Sequence, residues 1–203
     1  MAALQVPVFG QRESECGNTS LKAVLWFHGV RLSARRLGRL VGVNQEGADH
    51  AGLVHGATAA GAHAFERTGG TLAELAWFAA AGYPAIVGWW SLEPGDAHFD
   101  PRWSLSERRE RDCGHYSVVT EVTGGRVWLM DPQWHLRRRR WRVVGRTSMS
   151  RDDFLALWYD TDTPRYTRVS RWYLVVNLDG LRFADRFPGT DHAPRAGRRR
   201  PSR

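Results

Sequence analysis

Cysteine and lysine are nearly absent from this sequence. Of its 203 residues two are cysteine, Cys16 and Cys113, and one is lysine, Lys22. Two thiols do not make a disulfide scaffold, so the chain has to fold on its own apolar core. No apolar run approaches the roughly 20 residues that span a bilayer, which excludes a transmembrane helix. The opening stretch, Met1-Ala-Ala-Leu-Gln-Val-Pro-Val-Phe9, has neither a basic segment nor a long apolar one, so no secretory signal is expected. A cytoplasmic protein with free thiols is the resulting expectation. Metal ligands at a familiar spacing are also missing. His50, His55 and His63 with Asp49 match no zinc pattern and read as helix-surface or loop residues. Neither a metal nor another cofactor is expected.

What is present is apolar and basic. A hydrophobic content of 42% with ten tryptophans argues for a packed globular chain, and the length suits one domain. The formal net charge is +8, carried almost wholly by arginine. From Pro188 to Arg203 there are five Arg and one Asp, hence +4 of that charge, with no apolar periodicity. That segment reads as disordered. The expected organisation is a domain over residues 1–187 and a basic tail over 188–203. A second run, Arg137 to Arg140, is flanked by Trp134 and Trp141. It reads as a solvated loop or strand with nonspecific affinity for anions, nucleic acid included.

Helical signals fill the first half. Leu21, Val24, Leu25 and His28 keep helical spacing before a stop at Gly29, and Ser33 can cap a helix carrying Leu37, Leu40 and Val41. Leu53, Val54, Ala57 and Ala60 mark a third helix, and Thr71-Leu-Ala-Glu74 is a capping box for a fourth. The second half reads mainly as strand: Pro84–Trp90, His115–Val122, Arg126–Met130 and a last run Arg171–Asn177, with a short helix opened by Ser150. Ser91 to Cys113 reads as a long polar loop. Trp89 and Trp90 read as core. Helices first and antiparallel strands later indicate an α+β fold.

The chemistry-bearing residues are few. Cys16 stands just before the first helix, where backbone N–H groups favour a thiolate, the nucleophilic form of the thiol. Gly17 would let a substrate carbonyl approach the backbone. Gln11, five residues upstream, could pair its side-chain amide with the Cys16 N–H as an oxyanion hole. His115 begins one strand and Asp131 ends the next. A three-residue loop over Thr123-Gly124-Gly125 would set Asp131 opposite Ser117, on the face of His115 and displaced by about 7 Å along the strand. A two-residue turn would put the pair on opposite faces. On one face, Asp131 would fix the tautomer and plane of the His115 ring. Cys113, two residues before His115, reads as a bystander thiol.

These residues stand in an order that resembles a known family. The run V-P-V-F-G-Q-R-E-S-E-C-G-N-T-S-L, then G-H-Y on a strand and D-P after the next, is similar to the C39-type cysteine peptidases and their C39-like relatives. These are papain-like enzymes, known best as leader-processing domains of bacteriocin exporters. T-L-A-E-L with G-Y-P-A-I-V resembles their middle helix and strand. R-T-S-M-S-R-D-D-F-L-A-L-W-Y-D-T-D resembles the C-terminal helix of stand-alone bacterial members. The resemblance runs from about residue 6 to residue 178. Asn18 stands where relatives often carry Pro, and Gly47-Ala-Asp-His50 replaces a Gly-Thr.

The resemblance implies a papain-like fold, with a helical lobe packed on a β-rich lobe. It implies Cys16 as nucleophile, His115 as base, Asp131 as orienter and Gln11 as oxyanion donor. The expected activity is cleavage of an amide bond in a peptide or small amide through a thioester acyl-enzyme. Two alternatives stand beside it: an acyltransferase using the same triad, and a non-catalytic binding protein on the same fold.

Overall fold

The computed structural model describes residues 3–12, 14–45, 47–90, 114–137, 140–162 and 167–195. Five helices and nine strands follow in the order α1 (Cys16–Phe27), α2 (Ala34–Val41), α3 (His50–Ala59), β1 (His63–Arg67), α4 (Leu72–Ala80), β2 (Ala85–Trp90), β3 (Gly114–Val122), β4 (Arg126–Arg137), β5 (Arg140–Ser150), α5 (Arg151–Leu157), β6 (Tyr159–Asp162), β7 (Thr167–Ser170), β8 (Tyr173–Asn177) and β9 (Thr190–His192). Seven strands form one sheet in the order β5-β4-β3-β2-β8-β1-β9, and β6 with β7 forms a separate hairpin. The expected α+β class and papain-like architecture are what the chain adopts. No helix among the described residues is long and apolar enough to cross a membrane.

The large sheet is covered on both faces, and its strands show why. Ile86, Val118, Met130, Leu174 and Val176 point into a core shared with α1, α2 and α3. Their neighbours Val87, Val119, Leu129 and Val175 point into a second core with α4 and α5, built around Phe65, Phe78 and Phe154. Period-two alternation thus feeds two apolar layers instead of one apolar and one wet face. That is why β2, Ala-Ile-Val-Gly-Trp-Trp, is buried at every position.

Helix starts follow the sequence signals. Ser33, Asp49, Thr71 and Ser150 each accept a hydrogen bond from a backbone N–H of the helix they open, and Thr71 with Glu74 completes the capping box. Among the described helices α1 alone begins without a side-chain cap: Glu15 precedes it and makes none.

Several expectations need correction. β1 lies between α3 and α4, in the half expected to be helical. Arg-Thr-Ser-Met-Ser, residues 146–150, belongs to β5; only Arg151–Leu157 is helical there. Of the run read as loop or strand, Arg137 ends β4 and Arg140 begins β5, with 138 and 139 outside the described residues. The polar loop Ser91–Cys113, Cys113 included, lies outside the described residues. The expected disorder from Pro188 fails over residues 188–195. β9 pairs with β1, and Asp191 accepts the N–H groups of Phe183 and Ala184 at 3.0 Å each. His192 Nε2 meets Glu66 Oε1 at 2.9 Å, and the Arg195 N–H reaches the Thr58 carbonyl at 3.0 Å. Polar contacts hold this segment, so apolar periodicity could not announce it.

Asp191→Ala should therefore destabilise the protein by about 2 kcal/mol, since two backbone donors lose a charged acceptor. At this chain length that is a fall of roughly 4–8 °C in melting temperature, readable by calorimetry. An unchanged melt would mean that β9 contributes nothing to the folded state.

Candidate active site

Cys16 is placed by the way α1 docks on β3. The Ser20 hydroxyl donates to the Tyr116 carbonyl at 3.0 Å inside the core. Gly17 is buried, and a Cβ there would lie 3.0 Å from the Tyr116 ring, 3.2 Å from Ala48 and 3.3 Å from Leu53. The glycine thus permits close packing of the helix start. Ser14, two residues before Cys16, holds a left-handed φ of 58°, and its hydroxyl donates to the Gln45 carbonyl at 2.8 Å. The helix start is thereby held in a backbone conformation that a non-glycine residue adopts only under constraint. Glu15, the residue at its N-cap, gives the first N–H groups of the helix no side-chain oxygen.

His115 and Asp131 meet through an irregular hairpin. The Thr123 N–H donates to the Arg126 carbonyl at 2.9 Å, so Gly124-Gly125 makes a tight two-residue turn. The ladder begins Val122↔Val127 and Glu121↔Trp128. Continued evenly, that register would set Asp131 against Val118, on the face away from His115. A bulge at Thr120 intervenes, and the pairs below it are Val119↔Leu129 and Val118↔Met130. One step further Asp131 stands against Ser117, on the face of His115. The expected juxtaposition is present, reached by a tight turn plus a bulge instead of a three-residue loop.

The contact is short and buried. His115 Nε2 lies 2.8 Å from Asp131 Oδ1, with the two side chains 6% and 5% exposed. The same carboxylate oxygen accepts the Gln133 N–H at 2.9 Å, which fixes its direction. After Asp131, Cys16 is the other group near enough to the His115 ring to raise its titration. With Nε2 taken by Asp131, Nδ1 is the ring nitrogen left for a further partner. Trp89, directly across the strand pair, sets its ring edge-on to the imidazole with centroids 5.9 Å apart. Its indole N–H donates to the Ser117 hydroxyl at 3.0 Å. Trp89 is core, as expected, and it also walls the His–Asp pair from water.

Gln11 sits on a loop tied to the same strand end. Its backbone N–H donates to the Pro132 carbonyl at 2.9 Å, and its carbonyl accepts the Trp134 indole N–H at 2.7 Å. Its side-chain oxygen is buried without a hydrogen-bond partner among the described residues. The Glu15 N–H then bonds the Arg12 carbonyl, turning the chain into α1. Sequence reading singled out Gln11, Cys16, His115 and Asp131 and read Trp89 as core; it missed the clasp of Trp134. The glycine before Gln11 was the available clue to the clasp, because a Cβ at Gly10 would fall within 2.9 Å of three indole atoms of Trp134.

The histidines weighed as zinc ligands do not gather. His50 is buried, stacked on Trp172 with ring centroids 4.0 Å apart, and its Nε2 lies 3.6 Å from Asp160 Oδ2. Among the described residues no group of three His, Cys, Asp or Glu side chains could hold a metal ion.

Three comparisons bear on this arrangement. The sequence model of the Peptidase_C39 like family matches residues 3–163. No curated protein matches the sequence. Similar folds occur among solved structures. A double glycine motif protease from an AMS/PCAT transporter, solved with its leader peptide, superposes with a TM-score of 0.55 at 15% identity, over 86% of this chain and 93% of that one. The peptidase domain of Streptococcus ComA gives 0.53 at 19% identity, over 84% and 96%. A C39-like peptidase of Bacillus anthracis, described as putative in its source, gives 0.56 at 16%, over 85% and 95%.

The titration of His115 follows from its neighbours. Burial alone would push the imidazole below its ordinary value of 6.5. The Asp131 carboxylate, by charge and hydrogen bond, and then Cys16 outweigh burial and hold His115 well above that value. A raised value means that the folded state favours the charged ring. The stability it contributes is full below 6.5 and is lost as pH rises through the raised value. NMR titration should find His115 well above 6.5, and Asp131→Asn should bring it down. The difference in melting temperature between wild type and Asp131→Asn should be largest below pH 6.5 and shrink with increasing pH. An identical ring titration in the two proteins would contradict this account.

Proposed function

The chain belongs to the Peptidase_C39 like family, and on that premise we propose that it is a cysteine peptidase with Cys16 as nucleophile, His115 as general base, Asp131 as its orienting carboxylate and Gln11 as oxyanion donor. The observation that carries this reading is the His115 ring, held by Asp131 at 2.8 Å on one nitrogen, with the Cys16 thiol near enough to raise its titration. The thiol itself opens the one described helix that lacks a side-chain cap.

The chemistry runs in two halves. The Cys16 thiolate attacks an amide carbonyl, and the carbonyl electrons move onto oxygen. The Gln11 side-chain amide and the Cys16 N–H stabilise that oxyanion. His115 gives its proton to the departing amine, the C–N bond breaks, and a thioester remains on Cys16. Water then attacks the thioester while His115 takes its proton, releasing the acid and the thiol. Asp131 keeps the imidazole in the productive tautomer and stabilises its charged form. A peptide is the proposed substrate. The relative solved with its leader peptide is described as a double glycine motif protease, which makes Gly-Gly peptides the first probes to try. A reduced thiol suits a reducing compartment such as the cytoplasm.

Cys16 should alkylate with iodoacetamide faster than Cys113 near neutral pH, because rate follows thiolate fraction and access. His115→Ala should slow that alkylation, and Cys16→Ala should abolish any acyl-enzyme. Gln11→Ala should leave alkylation nearly unchanged yet slow turnover by on the order of a hundredfold, because its contact forms only with the developing oxyanion. Mass spectrometry of both cysteine peptides across a pH series reads the first result. Equal rates at the two thiols would remove the nucleophile from this reading. Glycinamide added to a turnover assay separates hydrolysis from acyl transfer: free acid supports the peptidase, and a dominant glycinamide adduct supports the acyltransferase.

A further inference from the structure

The exposed indole of Trp134 carries an inference that rests on the role proposed above for Gln11 and goes beyond it. Trp134 lies on β4 immediately after an irregularity in the β4–β5 pairing between Asp131 and Trp134. It is 41% exposed, unusual for so large an apolar side chain, so core packing does not explain its position. Its indole N–H instead spends its hydrogen bond on the Gln11 carbonyl, at 2.7 Å. At the other end of the same residue, the Gln11 N–H donates to the Pro132 carbonyl at 2.9 Å. The indole also covers Gly10, where an ideal Cβ would stand 2.4 Å from Cζ2, 2.6 Å from Cε2 and 2.9 Å from Nε1. Both backbone polar groups of Gln11 and the Cα before it are therefore fixed against one short segment of β4.

That segment is also the one that holds the base. Asp131 Oδ1 bonds His115 Nε2 at 2.8 Å and the Gln133 N–H at 2.9 Å. Four consecutive residues, Asp131 to Trp134, thus reach His115 with one side chain and Gln11 with a carbonyl and an indole. The distance between base and oxyanion donor is set by a single rigid piece of backbone.

We propose that Trp134 is a positioning residue for the oxyanion donor: its indole N–H locks the Gln11 backbone, so that the Gln11 amide stands ready where negative charge develops. Preorganised donors stabilise a transition state because they need not reorganise when the charge appears. A Gln11 freed at its carbonyl swings on the loop and loses that advantage, while ground-state binding of substrate is untouched. Trp134 does not touch the reacting atoms, so its whole effect passes through Gln11.

Trp134→Phe keeps an aromatic ring over Gly10 and removes only the N–H. The experiment measures hydrolysis of the p-nitrophenyl ester of acetyl-Gly-Gly, with alkylation of Cys16 by iodoacetamide in parallel, for wild type, Trp134→Phe, Gln11→Ala and the double variant. Expected for Trp134→Phe is a kcat lower by roughly tenfold, a KM within about twofold and an unchanged alkylation rate, the pattern of an interaction made only in the transition state. In the Gln11→Ala background the same substitution should cost nothing more, because its route is already gone. A purely structural tryptophan would give additive losses and slower alkylation, and a tryptophan that contacts substrate would raise KM in both backgrounds; either outcome overturns the proposal. Gln11→Ala with full activity overturns the oxyanion assignment itself, and this inference with it. A sensitive Gln11 with a silent Trp134→Phe overturns the inference alone. Gly10→Ala, which pushes the indole away, serves as the second variant and should reproduce the Trp134→Phe pattern.

Discussion

A strand pair can bring a histidine and a carboxylate together only if both side chains leave the same face of the sheet. In β3–β4 that parity hangs on one residue. The Gly124-Gly125 turn sets a ladder in which Asp131 would face away from His115, and the extra residue Thr120 reverses it. The bulge is held in turn: the Thr120 hydroxyl donates to the Trp128 carbonyl at 3.3 Å, and its own carbonyl accepts the Leu4 N–H at 3.1 Å. The N-terminal segment thus stabilises the irregularity that aligns two residues far along the strand. The 2.8 Å contact of His115 with Asp131, and the raised titration of the ring, depend on it.

Three departures from regular structure lie close together at the candidate site. Four helices open on a side-chain cap and α1 does not. Ser14 sits at positive φ without being glycine. The Gln11 side-chain oxygen is buried with no partner among the described residues. Each is a cost of order a kilocalorie per mole or more elsewhere in a protein. The three fall within six residues of chain before and at Cys16, the segment proposed to carry the nucleophile and the oxyanion donor.

Much of this was legible in the sequence, for identifiable reasons. Caps at Ser33, Thr71 and Ser150 act through local hydrogen bonds, so three or four residues suffice to read them. Alternation in Val118-Val119 and Leu129-Met130 gave the strands, and the order Gln, Cys-Gly, Gly-His, Asp-Pro gave the candidate site. The failures share a cause. β1 is only five residues long and borders helices on both sides. β6 and β7 are four-residue strands paired with each other, outside the large sheet. β9 has three residues and is held by Asp191 and His192. None has enough residues for a period, and each is stabilised by partners distant in sequence. The bulge at Thr120 was invisible for the same reason: a register is a property of two strands.

The strand order gives the arginine excess a meaning that charge alone did not. Among the described residues one edge of the large sheet is β9, too short to invite company; the other is β5, eleven residues long. Edge strands of that length are in general templates on which a second copy could add a strand, the first step toward fibrous aggregation. β5 carries Arg142 and Arg146 exposed to solvent, and Gly145 between them takes a φ of 67° that breaks the straight run of backbone donors and acceptors. Like charges would face each other across any pairing of two such edges in register, and the kink would leave them ill-matched in any other. On this strand arginine acts less as a handle for a partner than as a guard that keeps the protein from becoming its own partner.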